Sequence, residues 1–153
     1  MNYSLLTIDK KVSSNLYDRD YYQWLGQTVE KLRLKRFNEV DWDHLIEEIE
    51  DMGKSQRRAL ESYFTRFLDH LLKLAYWESE KPNSGNHWAA EIVNFRYQIQ
   101  KRLEDSPSLK PSLATIYQES LIVAKKSVSK LFPLPNDANI SLEQTLDSEW
   151  FPD

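Results

Sequence analysis

His44 is the residue whose type and spacing most directly suggest chemistry. Glu47 and Glu48 follow it by three and four residues. On an α-helix these positions lie one turn away, so His44 could share a metal ion with either carboxylate. A bundle that holds two metal ions needs glutamates and Glu-x-x-His pairs on facing helices. No Glu-x-x-His sequence occurs in the chain, so the spacing alone specifies no metal site.

His70 and His87 are the other two histidines. Helical periodicity puts His70 at the edge of an apolar face and His87 at the start of a later helix. No spacing joins the three histidines, so no cofactor, metal ligand or catalytic residue is assigned. A metal-dependent or acid–base enzyme that uses His44, Glu48 and His70 is one alternative, and the question of enzymatic activity stays open, with a non-enzymatic role favoured.

Opposite charges meet on either side of Gly53. Acidic residues precede this glycine and basic residues follow it, which is unfavourable for the dipoles of two helices that would meet there. We therefore predict that at least one of the glutamates is ion-paired with an arginine of this junction or of another helix. A catalytic carboxylate would also need such a partner, or burial, to shift its pKa. The candidate polar site at the helix junction consists of Glu47, Glu48, Glu50, Arg57 and Arg58.

Arginines suggest a second alternative, a nucleic-acid-binding protein. The residues concerned are Arg33, Arg36, Arg57 and Arg58. The net charge of −4 disfavours nucleic acid as a partner, because domains that bind it are more often basic. With three glycines in the chain, the glycine-rich loops that cradle phosphates are also absent.

The composition indicates a globular helical protein. The 153 residues are 41% hydrophobic and 12% aromatic, and glycine is scarce, which favours helices over sheets. The chain has no cysteine, so disulfides and thiolate ligands are excluded. No apolar run approaches the roughly 18 residues of a membrane span, and the N-terminus lacks the apolar segment of a secretory signal. We expect a cytoplasmic protein that does not bind membranes.

A central helix organises the predicted fold. Leu60, Phe64, Phe67, Leu71 and Leu74 recur at spacings of four and three, which places them on one helical face. Residues beside this stripe widen its apolar arc, so the helix needs neighbours on more than one side. We predict an all-α, single-domain bundle of about five main helices in which this helix, residues 60–75, is the most buried.

Caps and breaks divide the rest of the chain. Residues 1–16 are expected to form an N-terminal arm, and residues 17–153 a single helical domain. Asp18 is the expected cap of the first helix, whose apolar face would contain Tyr21, Leu25, Val29 and Leu32. The predicted helices are 18–35, 42–52, 55–77, 87–105, a fifth from 108 or 110 to 131, and a short C-terminal helix after Ser141.

Glycine and proline set the predicted breaks. Gly53 is expected to end one helix or kink it sharply into the next. The alternative is one long bent helix over residues 42–77. Residues 78–86 are expected to form a loop, with Ser84 or Asn86 as the following cap. Ser141 and Gln144 are spaced as a capping box. Trp150 and Phe151 are expected to anchor an ordered C-terminal tail.

Several motifs together resemble a bacterial family of helical proteins catalogued as domain of unknown function twenty-nine. The resemblance covers about residues 17–152, and its most specific part is the run Glu-Glu-Ile-Glu-x-Met-Gly ending at Gly53. One departure is His44, where the family more often has asparagine. The resemblance implies an all-α fold and no particular activity. The other motifs are Tyr17-Asp18-x-Asp20-Tyr21, Trp24, Phe37 to Trp42, Lys54 to Leu60, His70 to Lys73, Trp88, Asp105 to Leu109 and Trp150.

A protein-interaction or oligomerisation module is the function that the sequence favours. The chain has five Trp, eight Tyr and six Phe residues, which is enough for a core with some left exposed, and Trp and Tyr are favoured interface anchors. The expected partner is another protein or a second copy of the chain.

Overall fold

The structure is a computed structural model, and residues 15–153 are described here. These residues form an all-α fold, as predicted. A short 3-10 helix, Phe37–Glu39, precedes α3 and a second, Pro107–Ser112, precedes α5. The α-helices of the described residues are α1 (Leu16–Arg19), α2 (Tyr21–Arg33), α3 (Trp42–Tyr76), α4 (Lys81–Asp105), α5 (Leu113–Val128) and α6 (Leu142–Leu146).

The chain divides into two compact units, and the boundary falls between Met52 and Gly53, within α3. We call described residues 15–52 the N-terminal unit and residues 53–153 the C-terminal unit. Most of the predicted N-terminal arm, residues 1–14, lies outside the described residues. Helix α1 begins at Leu16 with Asn15 as its cap, and the extent of the arm stays a prediction. A single domain over 17–153 stays a prediction.

The N-terminal unit packs around the aromatic ring of Trp24. Trp24 and Thr28 are the buried residues of α2, and Val40 is buried in the connection to α3. The predicted apolar face of α2 is therefore wrong in part, because Tyr21 and Val29 are exposed. The cap is also corrected. Asp20 rather than Asp18 accepts a hydrogen bond from the backbone of the first turn of α2, since Asp18 lies inside α1.

The predicted break at Gly53 is wrong, because α3 runs without interruption from Trp42 to Tyr76. Gly53 does not have a positive φ, so it lacks the left-handed conformation of a helix C-cap. The physical reason lies in the pattern of apolar residues. Counting from Ile49 in steps of four and three leads through Gly53 to Leu60 and Phe67. The two apolar segments are in phase, so one continuous helix serves both.

The core of the C-terminal unit lies around the second half of α3. Leu60, Phe64, Phe67 and Leu71 are fully buried, as predicted for the central helix. They pack against apolar residues of α4 and α5 and of the segment that precedes α6. Burying a side chain of this size fully contributes about 1.5–3 kcal/mol, so this stripe contributes strongly to the stability of the unit.

The connection between α3 and α4 is shorter than predicted. Helix α4 begins at Lys81, so most of the predicted 78–86 loop is helical, and Glu80 is the cap instead of Ser84 or Asn86. Pro82 lies in the first turn, where its missing N–H costs nothing. Gly85 is buried, and a Cβ added there would lie 3.8 Å from a Leu74 methyl group. That distance is an ordinary contact, and the tighter neighbour is Lys81 Cγ of the same helix at 3.3 Å. Gly85 therefore lies within α4 and does not mark a loop.

The C-terminal segment ends as predicted. Ser141 and Gln144 form the reciprocal capping box of α6. Trp150 and Phe151 pack on the core of the C-terminal unit. The predicted fifth helix is α5, but it starts at Leu113, because Pro107–Ser112 forms a 3-10 helix that contains Pro111.

Candidate functional site

Glu48 is held by two tyrosines of the N-terminal unit. The Tyr17 hydroxyl donates to Glu48 Oε1 at 2.5 Å, and the Tyr21 hydroxyl donates to Oε2 at 2.6 Å. Tyr17 lies on α1, Tyr21 starts α2, and Glu48 lies on the second turn of α3. We call these three side chains the Glu48 clasp, which ties α1 and α2 to the beginning of α3.

The hydrogen bonds of the clasp fix its protonation state. They lower the pKa of Glu48, because the bonds donated by Tyr17 and Tyr21 stabilise the carboxylate. The same bonds raise the pKa of both tyrosines, since loss of either proton would remove a donor beside an anion. Glu48 is therefore ionised and its partners are protonated at neutral pH. This state suits a structural contact and is unsuited to proton donation by Glu48.

His44 lies beside the clasp and is oriented by Asp41. Its Nδ1 lies 2.6 Å from Asp41 Oδ2, and its ring stacks on the Tyr17 ring with the centroids 3.9 Å apart. The bond to Asp41 raises the pKa of His44 and lowers that of Asp41, because each partner stabilises the charged form of the other. Asp41 also caps the N-terminus of α3, because its side chain accepts a hydrogen bond from the His44 backbone N–H at 3.4 Å.

Tyrosine hydroxyls bind both carboxylate oxygens of Glu48, and the pairing of at least one of Glu47, Glu48 and Glu50 with an arginine stays a prediction. Arg57 pairs with Glu61 at 2.9 Å one turn along α3. Arg58 is exposed, as are Glu47 and Glu50, the other two glutamates of the candidate site. Among the three glutamates, Glu48 is therefore the one whose polar contacts the structure defines.

The histidines do not form the ligand set of the metal hypothesis. His70 Nδ1 lies 2.7 Å from the carbonyl oxygen of Arg66, and its ring lies 6.4 Å from that of the exposed His87. His44 belongs to the N-terminal unit and is bound to Asp41. Within residues 15–153, no group of three or more His, Asp or Glu side chains is placed to hold a metal ion.

Two arginines of the nucleic-acid hypothesis, Arg36 and Arg57, lie beside acidic residues. Arg36 is 3.9 Å from Glu39, and both line a surface pocket of the N-terminal unit that also contains Glu30 and Lys31. Arg57 belongs to the C-terminal unit, where Glu61 neutralises it. The charge around these arginines is mixed, and a phosphate backbone would meet carboxylates as well as cations.

The apolar side of the first turns of α3 is exposed. Its residues are spaced by four, three and three along the chain, so they share one side of the helix. We call it the α3 apolar face. Its residues and their exposed fractions are Trp42 at 45%, Ile46 at 52%, Ile49 at 57% and Met52 at 60%.

Trp42 is fixed in position on this face. Its indole N–H donates to the Phe37 carbonyl oxygen at 2.9 Å, and the Phe37 ring, itself half exposed, lies 6.4 Å away. Tyr17 and Tyr21 were not anticipated as partners of Glu48. Only the order of α1, α2 and α3 in space brings residues 17 and 48 together.

None of the helices among residues 15–153 is both long and apolar enough to cross a membrane. Comparison with curated proteins and with solved structures gave no match for the chain. The model of one family, described as the domain of unknown function DUF29, matches residues 16–151. Because this match spans nearly the whole sequence, the chain belongs to the DUF29 family.

Proposed function

We propose that this protein is a protein-interaction module that docks a partner on the α3 apolar face. The observation that carries the proposal is the exposure of Trp42, Ile46, Ile49 and Met52 on consecutive turns of one helix. Isolated exposed apolar residues are ordinary on a protein surface, whereas a contiguous patch marks an interaction site.

The spacing of the face suits a helical partner. Trp42, Ile46 and Ile49 are separated by four and three residues, and Met52 follows by three more, so they extend along about three turns of α3. An amphipathic helix that binds another helix uses anchors at the same period. Trp42 is the strongest anchor, because its side chain is large and its hydrogen bond to the Phe37 carbonyl holds it in one orientation.

The charge around the face indicates the chemistry of the partner. The segment from residue 39 to residue 51 carries seven acidic residues and no lysine or arginine. A second copy that placed the same segment against this face would bring carboxylates together, which is unfavourable. A partner helix with lysines or arginines beside its apolar anchors would be attracted instead. We therefore assign the face to a basic amphipathic helix of another protein. We place this interaction in the cytoplasm, in keeping with the absence of cysteine.

The test uses two labelled model peptides of equal length, one of leucine and lysine and one of leucine and glutamate, both patterned as amphipathic helices. Fluorescence anisotropy should show saturable binding of the lysine peptide to the full chain and at least tenfold weaker binding of the glutamate peptide. Ile49→Ser should weaken binding of the lysine peptide by at least tenfold. The matched control is Ile122→Ser on α5, which changes an equally exposed isoleucine and should leave binding unchanged.

Three outcomes would overturn this proposal. The first is equal binding of the two peptides, and the second is an equal effect of the two serine variants. The third is a concentration-dependent dimer in sedimentation that Ile49→Ser abolishes, because a second copy would then occupy the face. A variant without residues 2–14 should bind the lysine peptide as the full chain does.

A further inference from the structure

The most exposed residue of the α3 apolar face is Met52. It is 60% exposed, and Ile49, one turn before it on the same helix, is exposed as well. The first buried residue of α3 is Leu60, so the Met52 side chain takes no part in the packed interior. Small solutes can therefore reach this side chain in the free protein, and a chemical change to it leaves the core intact.

The thioether of Met52 is the group on this face that a mild oxidant attacks. Thioether sulfur is soft and polarisable, and oxidation converts methionine to its sulfoxide. The chain has no cysteine whose thiol would compete for the oxidant, and its other methionine, Met1, lies outside the described residues. Within residues 15–153, Met52 is therefore the side chain expected to react first with a peroxide.

The reaction with hydrogen peroxide is a two-electron oxidation of the sulfur. The sulfur lone pair attacks one peroxide oxygen, and the S–O bond forms as the O–O bond breaks. The proton of the transferred hydroxyl passes to the leaving hydroxide, which becomes water. The sulfur loses two electrons and the peroxide gains them. The product is methionine sulfoxide, which sulfoxide reductases convert back to methionine.

The sulfoxide changes the chemistry of the α3 apolar face. Oxidation turns a flexible apolar side chain into a polar one. A docked helix would cover the new oxygen with its apolar anchors, which carry no donor, and an acceptor buried without a partner costs free energy. Building on the docking function proposed above, we propose that Met52 is a redox modification site, at which a peroxide releases the partner helix and reduction restores binding.

The experiment treats the full chain with hydrogen peroxide and measures its binding to the labelled leucine–lysine peptide. Mass spectrometry after proteolysis should find one added oxygen atom on Met52, and circular dichroism should show unchanged helix content. Fluorescence anisotropy should show at least fivefold weaker binding of the lysine peptide by the oxidised chain. Treatment with methionine sulfoxide reductases and a thiol should restore the original affinity.

Two variants separate Met52 from every other oxidisable group. Met52→Leu keeps an apolar side chain that peroxide does not oxidise, so it should bind the lysine peptide like the parent chain before and after treatment. Met52→Gln places a polar amide at the same position and should weaken binding without any peroxide. An equal loss of binding in peroxide-treated Met52→Leu and parent chain would overturn the proposal, because another group would then carry the effect.

The remaining outcomes distinguish this site from the docking function itself. Absence of lysine-peptide binding by the untreated chain would overturn the docking function and the release of a partner with it. Binding that stays unchanged once Met52 is oxidised would overturn the redox site alone. The same holds if Met52 stays unmodified while free methionine in the same solution is converted to sulfoxide. A saturating amount of lysine peptide should slow the oxidation of Met52, since the docked helix covers its sulfur.

Discussion

The residues that suggested chemistry in the sequence serve structure in the N-terminal unit. Glu48 uses both carboxylate oxygens on tyrosine hydroxyls, and His44 is oriented by Asp41 and stacked on Tyr17. Their pKa shifts come from hydrogen bonds within the unit. These bonds stabilise charged side chains where α1, α2 and α3 meet. A perturbed pKa is therefore weak evidence of catalysis when hydrogen bonds within the same unit account for it.

Phe67 shows the opposite case, in which the sequence alone identified the role of a residue. Phe67→Ala should lower the free energy of unfolding by about 3–5 kcal/mol, because it leaves a cavity in a core where Phe67 is fully buried. Chemical denaturation measures this value. Ile122→Ala, at an exposed position of α5, is the control and should change it little. A midpoint unmoved by Phe67→Ala would contradict the burial of this ring.

Among the helices, α3 is continuous through Gly53 because the apolar residues on both sides of this glycine are in phase. Gly53 and the change in charge sign around it suggested two helices. The apolar positions on either side nevertheless follow one uninterrupted helical period, and a glycine inside a helix costs only about 1 kcal/mol relative to alanine. A local breaker of this strength is outweighed when both flanking segments are stable as one helix.

Gly53→Ala tests this continuity. A Cβ at Gly53 would meet no atom within 4 Å, and its φ is not positive. The substitution should therefore raise the free energy of unfolding by about 0.5–1 kcal/mol, measured by denaturation. Gly26→Ala in α2 also has open space and should act in the same direction. A clear loss of stability in Gly53→Ala alone would indicate a helix break at this position.

At the scale of the whole molecule, the polar contacts of the N-terminal unit predict how stability depends on pH. The pKa of Glu48 is lowered from its ordinary 4.5, so its contribution is present above that value and lost as the pH falls through the lowered pKa. The pKa of His44 is raised from 6.5, so its contribution is complete below that value and lost as the pH rises through the raised pKa.

Both contributions are therefore complete between about pH 4.5 and 6.5. Melting temperatures measured from pH 3 to pH 9 should decline on both sides of this window. His44→Gln should remove the part of the decline that lies above pH 6.5, and His87→Gln, at an exposed histidine, should leave the profile unchanged. The same decline above pH 6.5 in the His44 variant would show that the Asp41 contact does not stabilise the fold.

The all-α class, the central stripe of α3, the capping box of α6 and the family could all be predicted from the amino-acid sequence. These features depend on neighbours in sequence, on helical periodicity and on cap chemistry. Burial of Phe67 followed from its place in a wide apolar arc, which only a surrounded helix can satisfy.

The contacts between residues distant in sequence became known from the packing of the helices. Tyr17 and Glu48 are 31 positions apart, and Arg96 meets α6 across 48 and 49 positions, so no local pattern encodes these contacts. The exposure of Ile46 and Ile49 likewise depends on which helices cover α3. Helical periodicity predicts that these residues share a face, but it does not predict whether that face contacts another helix or solvent.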